Sequence, residues 1–397
     1  MSKEVTRLFS NQCVAGNTMN TQYDKTYENS GANAGSTLNI VQPQRYTVAS
    51  GSTISIQDNI ERSVSLPIAT QKHVALNFTA AELTQDLLKP DLMAFFSKNK
   101  LKPAISALAA AIDSDVLNQA AQATYNAIGT PGSNPSAYSD ITAARAELTK
   151  TGAQEDDRHY ILTPASMASL NQGMSGLFNP TAEKSADYRS GHLKDTNGFT
   201  FWDTDFLARH LNGSGTTCAI TATVPTEGAS SINVDGCGAA GTYTVGTTLT
   251  IAGVYRKNLV SHDDKADLQK FVVTALATAD GSGLATIKVS PSLEATGAYA
   301  NVSAMPVEDA VVTLVGTAST AYDQNLAYQK EAFVFATAKM AKIGCEYESD
   351  FTDEDLGISI KYTSQGDVSA LKNISRLDVL YGFSAVAPWW SVKQWGA

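Results

Sequence analysis

The run Arg376-Leu-Asp378-Val-Leu-Tyr381-Gly382, preceded by Gly366-Asp367 and followed by Pro388, decides the reading of this chain. Leu377 to Ala385 is strongly apolar, which predicts a buried segment. The Tyr381-Gly382 pair inside it predicts a turn in a sheet where the backbone needs the freedom of glycine. Further out, Val307–Val315 and Glu331–Ala338 read as ordered segments leading up to it. Beyond it, Pro388-Trp-Trp390 through Trp395 reads as an aromatic end exposed to a partner.

Upstream, residues 213–304 change character. They hold eleven of the chain's 28 glycines, and Thr242–Val254, Phe271–Ala277 and Ala285–Val289 alternate in the strand period. Turns such as Asp280-Gly-Ser-Gly283 separate these runs. Only Asp263–Leu268 hints at a helix. A small all-β unit inserted into a host domain is the expectation, because a surface loop with close ends tolerates insertion. Residues 139–210 alternate helix and strand: a helix at Ile141–Lys150, a strand at His159–Leu162, a helix opening at Thr163-Pro164, and a strand candidate in Phe199–Phe206. Pro103–Ile128 is rich in alanine, with Ile105, Leu108, Ala109, Ile112, Val116 and Ala120 on one face. That spacing predicts one long amphipathic helix, stopped by Gly129-Thr-Pro-Gly132. Residues 1–60 are polar and poor in large apolar side chains, which predicts an arm either disordered or ordered on a partner. Thr37–Val41 and Tyr46–Ile56 within it read as an extended hairpin around Gly51-Ser52.

The 397 residues carry 29 Lys plus Arg against 39 Asp plus Glu, a net charge of −10. That balance argues against coating nucleic acid through a basic surface. Met-Ser-Lys-Glu-Val-Thr-Arg lacks the apolar core of a signal peptide and no apolar run spans a bilayer, so a cytosolic, non-membrane protein is expected. Cys13, Cys218, Cys237 and Cys345 are scattered. Cys218 and Cys237 could meet in one small domain, although free thiols suit the compartment better. The five histidines fit no metal spacing, and His262-Asp263-Asp264 reads as a solvated turn. The acidic run Glu346, Glu348, Asp350, Asp353, Glu354 and Asp355 lacks the calcium-loop pattern and reads as a charged edge facing a neighbour. No phosphate loop, nucleophile elbow or dinucleotide fingerprint occurs, so no catalytic, cofactor or metal residues are assigned.

Three stretches resemble the major capsid (coat) proteins of tailed bacteriophages. The first is Ala186-Asp-Tyr188-Arg-Ser-Gly191 with Asn197-Gly198-Phe199. The second is Asn325-Leu-Ala-Tyr-Gln-Lys-Glu-Ala332-Phe. The third is the run quoted above: Asp367, Arg376, Asp378, Tyr381, Gly382 and Pro388. Ala298-Tyr-Ala-Asn-Val302 and the all-β insert resemble the coat proteins of short-tailed Salmonella phages. The resemblance implies an α+β fold of the Hong Kong 97 type. Its parts would be an N-terminal arm at 1–35, an extended hairpin loop at 36–82, a peripheral domain with spine helix at 83–138, and a first axial part at 139–212. An inserted β-barrel-like domain at 213–304 and an axial and peripheral return at 305–397 would complete it. It further implies self-assembly as hexamers and pentamers into an icosahedral shell, an external scaffolding protein, a portal, and packaged double-stranded DNA without sequence-specific contacts. The particle would be a virion assembled in the host bacterial cytoplasm. No lysine–asparagine cross-link and no fused scaffold domain are expected.

Two other classes fit single features. A β-rich adhesion protein would explain the Gly/Thr-rich middle but would carry an export signal. A hydrolase would use Asp203, Asp205 and His210, yet no nucleophile–base pair accompanies them.

Overall fold

The computed structural model describes residues 13–21, 37–48, 51–52, 56–79, 102–174, 193, 196–224, 226–353 and 358–397. Tyr188, Gly191, most of the 1–35 arm, and Glu354 and Asp355 lie outside the described residues. The chain forms two compact units: one from segments 1–41, 63–117 and 333–386, the other from 42–62, 118–332 and 387–397.

The first unit is organised by the strand Lys372–Ala385. Thr70–Thr79 pairs antiparallel with its residues 372–381, Ile358–Asp367 with 372–378, and Phe333–Ala338 with 380–385. Tyr347–Asp353 is the edge strand. Its acidic side chains suit an edge, where charge discourages pairing with another chain. Glu348 departs from the expected solvated run: its carboxylate pairs with Lys361, and both side chains are buried. Thr37–Val41 pairs with Ser63–Pro67, and the described residues of the expected Tyr46–Ile56 run are not strand, so the expected hairpin is corrected in its second strand. Ile40 and Leu66 bury against Val334, Ala336 and Leu380.

The arm expectation needs correcting at residues 13–20. Val14–Thr18 is a short helix with Cys13, Ala15 and Met19 buried. Asn20 bonds on both sides, its N–H to Phe333 O at 3.1 Å and its carbonyl from Phe335 N at 3.0 Å. The anchor is Asp113, which accepts from Val14 N at 2.8 Å, Ala15 N at 2.9 Å and Cys13 Sγ at 3.3 Å. A carboxylate at a helix start satisfies orphan N–H groups, and that replaces the large apolar side chains this segment lacks.

Burial raises the Asp113 pKa to about 6, although the bonds from Ala15, Val14 and Cys13 pull it down. The folded state therefore holds an extra proton between about pH 4 and 6. Stability from this group falls as pH rises through that window, by about 3 kcal/mol in all. Asp113→Asn is expected to flatten that slope, measured by urea unfolding at pH 4.5 and pH 7.

The long helix is Lys102–Ala123, and every residue of the predicted apolar face is buried. It stops before Ile128. Thr124 turns its hydroxyl onto Ala120 O at 2.8 Å, and Ala127–Ile128 becomes a strand parallel to Ser391–Trp395. Sheet hydrogen bonds capture these residues where alanine content alone predicts more helix.

The second unit contains a five-stranded sheet in the order Ala127–Ile128, Ser391–Trp395, Gln324–Gln329, Arg158–Leu162, Thr200–Asp203. The helices Tyr138–Lys150 and Pro164–Gly173 supply Ile141, Leu148, Met167 and Leu170 to a core with Tyr160, Phe199 and Phe201. This unit also holds a closed six-stranded barrel, ordered Thr248–Lys257, Asp264–Val273, Ala285–Leu293, Ala229–Asp235, Cys218–Ile220, Val311–Leu314. Its interior is filled by side chains such as Ile232, Leu249, Phe271, Ile287 and Val312, as a small barrel requires. Where the sequence hinted at a helix over Asp263–Leu268, Asp264–Leu268 is strand, because pairing with Thr248–Lys257 decides its conformation. The closing strand Val311–Leu314 lies past residue 304, where the glycine-rich composition ends. All four cysteines are free, Cys218 and Cys237 both within the barrel core.

Candidate functional site around residues 366–388

Residues Arg376 and Asp378 stand two apart on one strand and so share a face. Arg376 Nε and Nη2 donate to Asp378 Oδ1 at 2.9 and 2.7 Å, and Gln71 Nε2 donates to the same oxygen at 2.8 Å. The pair locks the register in which Asp378 faces His73 and Arg376 faces Ala75. Asp367 closes the turn after Ile358–Asp367, accepting from Ser369 N at 3.0 Å. The Ser369 hydroxyl and N–H hold its carboxyl below the usual range.

Tyr381 reaches the long helix. Its hydroxyl donates to Asp115 Oδ2 at 2.7 Å, and Lys72 Nζ lies 2.7 Å from the same oxygen. Burial raises the Asp115 pKa, but the Lys72 and Tyr381 bonds outweigh it and the carboxyl sits low. Burial and the neighbouring carboxylate push the Tyr381 phenol up. Tyr381→Phe is expected to cost about 1 kcal/mol, the net worth of one hydrogen bond to a charge still paired with lysine. A urea midpoint lowered at constant m-value would report it.

Gly382 is not in a turn. It lies inside the strand, paired with Ala336. A Cβ there would overlap the Pro67 carbonyl oxygen and lie 3.0 Å from Pro67 C and 3.1 Å from Ile68 Cα. Glycine is needed for close backbone approach, not for an unusual dihedral.

Asn197 and Gly198 both have positive φ, 56° and 76°. Thr196 and Phe199 exchange backbone bonds of 3.1 Å around them, which makes a two-residue hairpin turn of the Asn-Gly kind. Phe199 packs on Tyr160 at 5.4 Å between ring centroids. Asn325 is fully buried. Its Oδ1 accepts from Thr163 N at 2.9 Å and its Nδ2 donates to Ser166 Oγ at 3.0 Å, tying the central strand to the helix start at Pro164.

Pro388 opens a single turn, Pro388–Trp390. The expected exposed aromatic end is instead core: every residue of Ser391–Trp395 is buried between two strands. Lys393 and Gln394 occupy positions that read as polar in the sequence, which hid a central strand.

Among the described residues, the candidate positions act as framework in separate places and converge on no reactive centre. His210 is buried against Thr247 and Trp395, while Asp203 and Asp205 are exposed. Among the described residues, no cluster could hold a metal ion, and no helix is long and apolar enough to cross a membrane. Asp113 and Asp115 were missed by sequence reasoning. The signal for Asp113 was available: it falls on the apolar stripe, four residues after Ala109 and three before Val116. Nothing in the sequence marked Lys72 or Gln71.

The described residues form a mixed α+β chain whose second unit carries a closed six-stranded barrel beside a five-stranded sheet. A family model described as "P22 coat protein - gene protein 5" matches residues 1–391, and the chain belongs to that family. It is a major capsid structural protein of a bacteriophage, with a fold of the Hong Kong 97 type, and a component of the virion shell. Among solved structures it is similar to one from Mycobacterium phage Che8, at 14% identity and TM-score 0.47, covering 96% of this chain and 91% of that chain. The capsid structure of cyanophage P-SCSP1u is 12% identical with TM-score 0.44, covering 92% and 84%. The CUS-3 coat protein I-domain is 21% identical with TM-score 0.20, covering 26% of this chain and 96% of that one. No curated protein matches the chain.

Proposed function

We propose that this coat protein assembles as hexamers and pentamers into an icosahedral shell around double-stranded DNA, with an external scaffolding protein and a portal, in the host bacterial cytoplasm. The family match over residues 1–391 carries this reading. Segments 1–35, 36–82 and 83–138 serve as arm, hairpin loop and peripheral domain with spine helix. Segment 139–212 serves as axial domain, 213–304 with the closing strand Val311–Leu314 as insert, and the rest of 305–397 as return. A net charge of −10 keeps an inner wall from adhering to incoming phosphates.

The hairpin loop has the surface an intersubunit contact needs. Val48 and Ile56 are 94% and 90% exposed, and Tyr46 and Ile60 are each more than half exposed. Apolar groups held in water are stabilised by covering them, and repetition of one such contact closes a shell. Val48→Asp with Ile56→Asp is expected to leave the subunit's thermal melting within about 1 °C, because both side chains are exposed, and to reduce sedimenting shells at least ten-fold. Wild-type shell yield from the double variant, co-expressed with its scaffold, would contradict the loop's role.

A further inference from the structure

The 42–62 segment carries an arginine near each end, and both meet aromatic rings in the same unit. Arg62 Nη1 and Nη2 lie 2.8 Å from the two oxygens of Glu294, a planar fork against a carboxylate. The same guanidinium stands 3.9 Å from the centroid of the Tyr299 ring. Tyr299 in turn donates its hydroxyl to Ile60 O at 2.8 Å. Arg45 lies 4.5 Å over Trp389 and 5.7 Å from Tyr299.

The receiving side is held by contacts of its own besides those to Arg62. Glu294 follows the barrel strand Ala285–Leu293, and its side chain is only 9% exposed. Ser292 Oγ donates to Glu294 Oε1 at 2.8 Å, and Asn301 Oδ1 accepts from Glu294 N at 3.1 Å. A carboxylate so oriented and desolvated binds an arginine fork far better than a surface one. Other bonds join the segment to itself, such as Tyr46 Oη donating to Asn59 Oδ1 at 3.2 Å. Among its described residues, Gln42 N to Arg62 O is the backbone ladder's last bond, and Thr47 and Gln57 are joined by side chain to backbone.

We propose that the inserted barrel positions the 42–62 segment of its own chain through this arginine–aromatic clamp, so that the exposed Val48 and Ile56 stand in a fixed place before subunits meet. The positioning role rests on the shell-subunit reading; the clamp itself does not. The clamp assigns the insert a task that the barrel's own core does not explain. Glu294 and Tyr299 are positioning residues, acting through Arg62 and Ile60 on the tip.

Trypsin tests it, because the protease must draw an arginine side chain out of its native contacts before cutting. Cleavage after Arg62 and Arg45 is followed by mass spectrometry on the native full chain, with Arg209, whose side chain is 59% exposed, as internal standard. Glu294→Gln is expected to speed cleavage at Arg62 at least ten-fold relative to Arg209, with unchanged barrel melting. Tyr299→Phe, which removes only the bond to Ile60, is expected to speed it a few-fold and serves if the first variant does not fold. Unchanged cleavage at Arg62 in a folded variant would overturn the clamp. Each variant is then co-expressed with the scaffold. Fewer or misshapen shells are expected, and normal shells from a variant with accelerated cleavage would overturn the positioning role. Failure of the wild-type chain to form shells would instead count against the shell reading, with the clamp still read by cleavage.

Discussion

Gly382→Val is expected to give no soluble folded protein, and Gly382→Ala to lose about 3 kcal/mol or more. The residue lies within Lys372–Ala385, which three other strands join, so a local shift there would disturb three ladders. The atoms a Cβ meets belong to the backbone of Pro67 and Ile68 and cannot rotate aside. Proline fixes φ, which stiffens that backbone further. Alanine and valine differ informatively. If dihedral freedom were the need, both would fail alike; a steric cause predicts that alanine is damaged and valine abolished. Soluble yield and thermal melting of the two variants measure this. Wild-type melting of Gly382→Ala would contradict the close approach.

Lys393→Met is expected to remove a pH dependence that the wild-type protein carries above neutrality. Lys393 is fully buried, donates to Gly246 O at 2.8 Å and lies 5.1 Å from the Trp395 ring. Burial lowers its pKa to about 7. An unfolded lysine titrates near ~10.4, so between about pH 7 and 10 the unfolded chain binds more protons than the folded one. Stability therefore rises with pH across that window, by about 2 kcal/mol between pH 7 and 9 from this residue alone. Methionine fills similar space without a charge and should flatten the slope, although Gly246 O loses its donor. Urea unfolding of both proteins at pH 7 and pH 9 decides; equal slopes would show that Lys393 keeps its charge in the fold. The same burial, followed by the Lys393 charge, lowers the His210 pKa to about 4, so His210 adds nothing in this range.

The features legible in the sequence were those with a period. The long helix, the helix ending at Lys150, the strand at 159–162 and the β-rich insert each announce themselves by spacing. Asn197-Gly198 was quoted only for its resemblance to a family, and its two successive positive φ values show it to be a turn. What failed was burial of polar residues. Ser391–Trp395 reads as an exposed tail since Lys393 and Gln394 sit in it, and the carbonyl that makes the buried lysine tolerable comes from a loop far away in sequence. Residues 13–20 read as an arm either disordered or ordered on a partner because their anchor is the Asp113 carboxylate rather than a run of apolar side chains. Gly382 was recognised as necessary but for the wrong reason, since the backbone it meets belongs to residues 67 and 68. The candidate positions themselves were found through their resemblance to a family. Their contacts, Gln71 on Asp378 and Lys72 and Tyr381 on Asp115, join segments no local pattern connects.

The central claim is that this chain builds a shell. Negative-stain electron microscopy of the full-length protein, co-expressed with the products of the reading frames beside its own, tests it most directly. Closed particles of uniform diameter are the predicted result. Small monodisperse particles in the presence of every candidate scaffold would contradict it.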